Sequence, residues 1–170
     1  MCARSSQRLT YRAAVLLSQV FDILDVLDEM GTRYWIGGGW GVDALVGRQT
    51  RHHRDLDMAV DGAHLDWCLD TLVGLGYEVE TDWLPVRVEL VSHEGWVDLH
   101  PVEFDATGNG IQAGLHGATF EYPVEALVNG KLDGRLVPCL SAGLQIAFHT
   151  GYEPRPQDVH DLALLRSLDT

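Results

Sequence analysis

The sequence predicts an α+β fold, a mixed twisted sheet with packed helices and a small helical part at its C-terminal end. Three observations predict it. The first 75 residues alternate helix and strand patterns, Tyr77 to Phe104 holds three strand-like runs in succession, and helical spacing returns after Ser141. The chain has 170 residues, 46% of them hydrophobic, with no repeat, low-complexity tract or evident linker. One domain over residues 1–170 is therefore expected, with about 141–170 as its helical subregion.

In order along the chain, apolar side chains at helical spacing predict a helix from about Arg8 to Met30, stopped by Gly31. Its regular acids, Asp22, Asp25, Asp28 and Glu29, argue against a signal peptide. Tyr34–Ile36 reads as a short strand broken by Gly37, Gly38 and Gly39, and Trp40–Val46 as a short helix closed by Gly47. Leu56–Val60 is the next strand, and Asp61 is placed to cap a helix from His64 to Leu75. YEVETDW, VRVELVS and WVDLHPVEF follow as strands, the last two separated by HEG at hairpin distance. DATGNG reads as a loop, Phe120–Tyr122 and Arg135–Leu140 as edge strands, and NGKLDG as turns. Ser141 caps a helix reaching His149, and GYEPRP leads into a last one from about Gln157 to Ser167.

Composition removes several function classes. A formal charge of −13 opposes a general nucleic-acid surface and favours a cationic partner. No apolar run approaches the ~20 residues that cross a membrane, so neither a membrane nor a nucleic-acid partner is expected. Cys2, Cys68 and Cys139 form no paired spacing, which points to reduced thiols and a cytoplasmic protein. The eight histidines include no His-x-x-x-His pair that would suggest structural zinc.

Chemistry concentrates in WIGGGWGVDALVGRQTRHHRDLDMAVD, residues 35–61. Asp55 and Asp57 alternate at a strand entry and therefore share a face, while Leu56 and Met58 point the other way. Two carboxylates so close repel unless a cation lies between them, and oxygen ligands in this arrangement suit magnesium. A solvated acidic strand entry is the plainer reading of the pair. Asp98, between Val97 and Leu99 in WVDLHP, adds weight to the metal reading. Should its strand lie beside Leu56–Val60, three carboxylates would cluster, two holding metal and the third accepting a proton from a hydroxyl.

Two readings of the glycines compete. Gly39-Trp40-Gly41-Val42-Asp43-Ala44 fits a loose dinucleotide-binding pattern. However, the helix after it is too short, the acids come too early in the next strand, and Arg48, Arg51 and Arg54 crowd the linker. The alternative uses every element: backbone N–H groups at a helix start hold phosphate, an arginine grips it, and the aspartate pair seats the metal.

Gly38-Gly39-Trp40, Thr50-Arg51, His53 and Asp55-Leu56-Asp57 resemble the signature of the antibiotic nucleotidyltransferases, a branch of the polymerase-β-like superfamily. GYEVETDWLPVRVEL, WVDLHP, RLVPCLS and FHTGYEPRPQDVHDL extend the likeness toward the small lincosamide nucleotidyltransferases over most of residues 34–165, whereas aminoglycoside 2''-nucleotidyltransferases share mainly the first block. The resemblance implies a polymerase-β-like fold and Mg2+-dependent transfer of a nucleoside monophosphate, AMP from ATP, to a hydroxyl of a small cationic antibiotic. A lincosamide is the first acceptor to expect, an aminoglycoside the second, and a non-catalytic nucleotide-binding or antitoxin-like module the reading of another class. Carried over residue by residue, Asp55 and Asp57 match the metal ligands. Asp98 matches the third metal-site carboxylate and general base, and Gly38 and Gly39 the phosphate loop. Arg51 falls near the triphosphate, and His53 is expected to hydrogen-bond the strand aspartates. Gln157 departs from the lysine common in relatives, so a triphosphate contact there is expected to be either lost or taken over by Arg155. For the acceptor, Trp83, Arg87, Glu89, His100, Tyr122 and Tyr152 remain candidates, with Glu89 facing a cationic amine; packing is the plainer role for the aromatics. A homodimer is a further expectation.

Overall fold

The computed structural model describes residues 14–168. Its elements are α1 (Leu17–Glu29), β1 (Tyr34–Ile36), α2 (Gly38–Val46), β2 (Asp55–Asp61), α3 (Leu65–Gly74), β3 (Glu78–Trp83), β4 (Arg87–Ser92), β5 (Gly95–Phe104), β6 (Gly110–Ala113), β7 (Thr119–Tyr122), β8 (Leu127–Leu132), β9 (Arg135–Leu140), α4 (Ala142–Phe148) and α5 (Pro156–Leu168). They build the expected α+β architecture. The sheet runs β3-β4-β5-β2-β1-β9-β8, and β6 with β7 branches from the far end of the long strand β5. β2 and β5 are parallel, as are β1 and β9, and the other pairings are antiparallel.

Alternation along the central strands sorts the two faces. Leu56, Met58, Val88, Leu90, Val97 and Leu99 are buried together with Ile23, Leu24 and Leu27 of α1 and Cys68 and Leu72 of α3. That apolar layer leaves the other face of the same strands to the polar alternates. A smaller cluster beyond it joins Ala59, Val102, Tyr122, Leu140 and Leu144, with Trp35, Phe104 and Phe148 packed against them. Cys68 and Cys139 are buried, and burial pushes both thiols up to about 12, as suits inert core residues; Cys2 lies outside the described residues.

Several boundaries differ from expectation for identifiable reasons. Within the described residues the first helix starts at Leu17, because Val15 forms an antiparallel bridge to His53, its N–H donating to the His53 carbonyl at 2.8 Å; the earlier part of the expected helix lies outside them. The second helix begins at Gly38, two residues before Trp40, so the glycines form its first turn. NGKLDG is not all turn: Asn129–Leu132 belongs to β8, and the reversal falls on Asp133 and Gly134, both at positive φ. Gly130 is glycine because α2 passes directly over it, and a Cβ there would lie 2.4 Å from the Ala44 carbonyl oxygen. β6 is a further strand unforeseen from sequence, short and carrying a glycine and a glutamine.

Candidate active site

Parallel register places Asp57 beside Asp98 and Asp55 beside Trp96. The antiparallel register of β4 places Glu89 across from Asp98. Asp55, Asp57, Asp98, His100, Glu89 and Arg87 therefore share the polar face of three neighbouring strands. Arg87 is a cation set into this face: its Nη1 donates to Asp98 Oδ2 at 2.5 Å and lies 3.3 Å from Glu89 Oε1. Burial, with the charge of Asp57 added, pushes the Asp98 carboxyl up to about 6 against the opposing pull of His100 and Arg87. Burial, then Asp57, also raises Asp55 above the usual carboxylate range. The buried Oδ1 of Asp98 has no hydrogen-bond partner. Oxygen donors under such repulsion, one of them without a partner, fit a divalent cation; donor atoms of Asp57, Asp98 and His100 lie within 4.8 Å of one another, and Asp55 stands on the same strand face.

The start of α2 closes over this face. Gly38 adopts φ +55°, and a Cβ on it would lie 2.2 Å from Asp57 Oδ2. Only a glycine lets the helix entry approach the carboxylate so closely. Gly39 is equally constrained, since a Cβ would meet His53 Nδ1 at 2.2 Å and Arg51 Nη2 at 2.6 Å.

The linker between α2 and β2 is staked from beneath by Asp43, fully buried in α2. Its Oδ1 accepts from the Thr50 N–H at 3.0 Å and the Thr50 hydroxyl at 2.6 Å, and its Oδ2 lies 2.5 Å from His53 Nε2. The hydrogen bond expected from His53 to the strand aspartates thus goes to Asp43 instead, because the ring is turned inward and packs, tilted, 4.6 Å from the buried Trp40 ring. Asp43 was legible as an acid inside the apolar stretch GWGVDALV, where a buried carboxylate requires partners.

Arg51 lies along the groove, and its guanidinium is committed to α5: Nε and Nη2 donate to Asp161 at 2.9 and 2.5 Å. His160 adds a contact to Thr50 at 3.1 Å. Arg155, two residues before Gln157, faces the same groove and pairs with Asp158 at 3.0 Å. Two cavities meet at Gly38, Asp57 and Arg155. One is this charged groove. The other, about 300 Å³, is mostly apolar, walled by Phe120, Tyr122, Leu140 and Phe148, with His100 and Gln112 as its polar side.

Of the remaining acceptor candidates, Trp83 is half-exposed at the end of β3 with the Arg87 guanidinium 5.0 Å over its ring. Tyr152 is exposed, interacts with Arg155 and Asp158 of the charged groove, and has its ring 6.5 Å from that of His149. The aromatic walls of the apolar cavity are Tyr122, an expected acceptor candidate, with Phe120 and Phe148, which are not among the candidates. Among the described residues no helix is long and apolar enough to cross a membrane.

The family model of the aminoglycoside-2''-adenylyltransferases matches residues 19–165. A lincosamide resistance protein from Staphylococcus haemolyticus is 36% identical over 151 residues, 88% of this chain and 94% of that protein. A 2''-aminoglycoside nucleotidyltransferase from Klebsiella pneumoniae is 46% identical, over 43 residues only, 25% of this chain and 24% of that protein. Among solved structures, the lincosamide antibiotic adenylyltransferase LnuA with lincomycin bound superposes with a TM-score of 0.83 at 35% identity, covering 91% of this chain and 99% of that one. ANT(2'')-Ia in complex with adenylyl-2''-tobramycin shares the fold, with a TM-score of 0.71 at 22% identity over 88% of this chain and 87% of that one.

Proposed function

The chain belongs to the aminoglycoside-2''-adenylyltransferase family, and from that premise we propose that it moves AMP from magnesium-bound ATP to a hydroxyl of a lincosamide. That it is an antibiotic nucleotidyltransferase follows from its relatives, which cover nearly its whole length. The lincosamide reading rests on the extent of those likenesses, since the aminoglycoside enzyme matches in sequence over only a quarter of the chain and in structure at 22% identity.

The observation that carries the mechanism is the side-by-side placement of Asp57 and Asp98, with Asp55 on the same face and the start of α2 over Asp57. Asp55, Asp57 and Asp98 are the residues that would hold the metal. A magnesium ion there supplies charge neutralisation for the triphosphate. Gly38 and Gly39 offer backbone N–H groups to the phosphates at the N-terminus of α2, while Arg51 and Arg155 face them from the groove wall. Asp98 accepts the proton of the attacking hydroxyl, and a carboxyl raised to about 6 suits a base working near neutral pH. The hydroxyl oxygen bonds to the α-phosphorus as the bond to the pyrophosphate oxygen breaks. Glu89 stands next to that hydroxyl as the acceptor's amine contact, and Arg87 holds Asp98 and Glu89 in place.

The test incubates protein, magnesium and ATP with lincomycin, clindamycin or tobramycin and seeks an added nucleoside monophosphate by mass spectrometry. Product on tobramycin alone would transfer the proposal to the aminoglycoside branch. ATP binding without product on any acceptor, with all four nucleotides tried, would leave a binding module.

A further inference from the structure

His100 is neither an expected metal ligand nor a residue absorbed by the mechanism above, yet its Nε2 lies 3.7 Å from Asp57 Oδ1 and 3.6 Å from Asp98 Oδ2. Single donor atoms of the three residues fall within 4.8 Å of one another, which is the spacing of a metal cluster. A hydrogen-bond chain decides against ligation. The Tyr122 hydroxyl, buried, donates to Gln112 Oε1 at 2.7 Å. The Gln112 amide nitrogen donates to the Val86 carbonyl at 3.2 Å and faces His100 Nδ1 at 3.1 Å. A carbonyl can only accept, so Val86 fixes the amide with its NH2 toward the imidazole. His100 Nδ1 is then the acceptor, and the ring proton resides on Nε2. A second proton on the ring would leave that Nε2–H in place. A nitrogen that carries its proton has no lone pair for a metal.

Both carboxylates attract the Nε2–H, but at 3.7 and 3.6 Å neither holds it in a close N–H···O bond. It faces the carboxylates of Asp57 and Asp98, and His100 also lines the apolar cavity beside them. A triphosphate carried by a cation on the three aspartates and attacked by a hydroxyl beside Asp98 would bring its α-phosphoryl group next to these carboxylates, where His100 stands. We propose that His100, locked as an Nε2–H donor by Gln112 and Tyr122, hydrogen-bonds a non-bridging oxygen of the α-phosphoryl group during transfer and does not ligate the metal. This rests on the nucleotidyltransfer reading and adds to it a catalytic residue and the two residues that position it. Charge on the equatorial oxygens is what such a donor stabilises in the transition state.

Three measurements test it together. Long-range 1H–15N correlation on histidine-labelled protein is expected to show the His100 proton on Nε2, and Gln112→Leu is expected to erase that preference. Mn2+ titration followed by electron paramagnetic resonance is expected to give wild-type affinity in both His100→Ala and His100→Gln. Turnover of His100→Ala is expected to fall in kcat by roughly 10²–10³-fold, the loss typical of one oxyanion donor, with the KM for ATP little changed. Glutamine, whose amide N–H reaches the same place, is expected to restore part of it. A proton on Nδ1, a Mn2+ affinity falling in step with kcat, or an undiminished kcat in His100→Ala would overturn the proposal. Wild-type protein that transfers nothing to any acceptor would overturn the functional reading itself, while the tautomer and Mn2+ results still decide separately between donor and ligand.

Discussion

Asp98→Asn is expected to make the metal-free protein more stable while abolishing its turnover. The Asp98 carboxyl moves from 3.8 to about 6, with burial the largest cause. A rise of roughly two pH units corresponds to at most about 3 kcal/mol in favour of the protonated form within the fold. Because the folded value lies above the unfolded one, this group's favourable contribution is complete below about 3.8 and is lost as pH rises through about 6. Asparagine keeps the shape of the protonated acid at every pH, and Arg87 retains Glu89 at 3.3 Å. The variant's advantage should therefore be near zero at about pH 4, grow through pH 6, and level off at about 2–3 kcal/mol above it. For a chain of this size that is a rise in Tm on the order of 5 °C. Calorimetric melts with a chelator present, taken across this range, read the effect directly. Product formation under magnesium should fall by roughly 10²–10⁴-fold, as expected for loss of a general base, with ATP still binding by titration calorimetry. Equal melting temperatures of wild type and variant at alkaline pH would refute the claim that Asp98 is an under-compensated buried charge. Retained turnover would refute its role as base.

Three other substitutions probe other parts of the site. Gly38→Ala would drive a methyl into Asp57 at a left-handed backbone position that itself costs about 1–2 kcal/mol; Mn2+ affinity should drop, and an unchanged titration would contradict the close approach. Asp43→Ala strips the acceptor from buried His53 and from Thr50 and should cost about 3 kcal/mol or more in urea unfolding, in the range for breaking a buried pair. Arg155→Ala removes an exposed guanidinium that pairs with buried Asp158 on the groove wall and should raise the KM for ATP roughly tenfold, the worth of one charge-assisted bond, with kcat unaltered. Unchanged KM would mean that the position left by Gln157 is not filled by Arg155.

The local content of the site was legible because it obeys short-range rules. Period-two alternation put Asp55 and Asp57 on one face, glycines opened the α2 entry, and Ser141 capped α4 through the Leu144 N–H. NGKLDG shows where such rules fail: an Asn-Gly pair signals a turn locally, but Gly130 answers to a helix backbone passing over it from a distant part of the sequence. His53 shows the same for a side chain, since proximity along the chain suggested Asp55 as partner while the ring's burial against Trp40 gave it to Asp43.

Taken alone, the sequence determined the fold class, the chemistry of the donors and the resemblance to a family, because each depends on residue type and on spacing within one element. Only the tertiary structure decided which donors meet. The parallel register of β2 and β5 brings Asp98 to Asp57. The branch of β6 and β7 from β5 delivers Gln112 and Tyr122 to His100. Docking of α5 hands Arg51 to Asp161. Strand register and helix docking are set by burial of the apolar face opposite, summed over many residues, so no motif at the site encodes them.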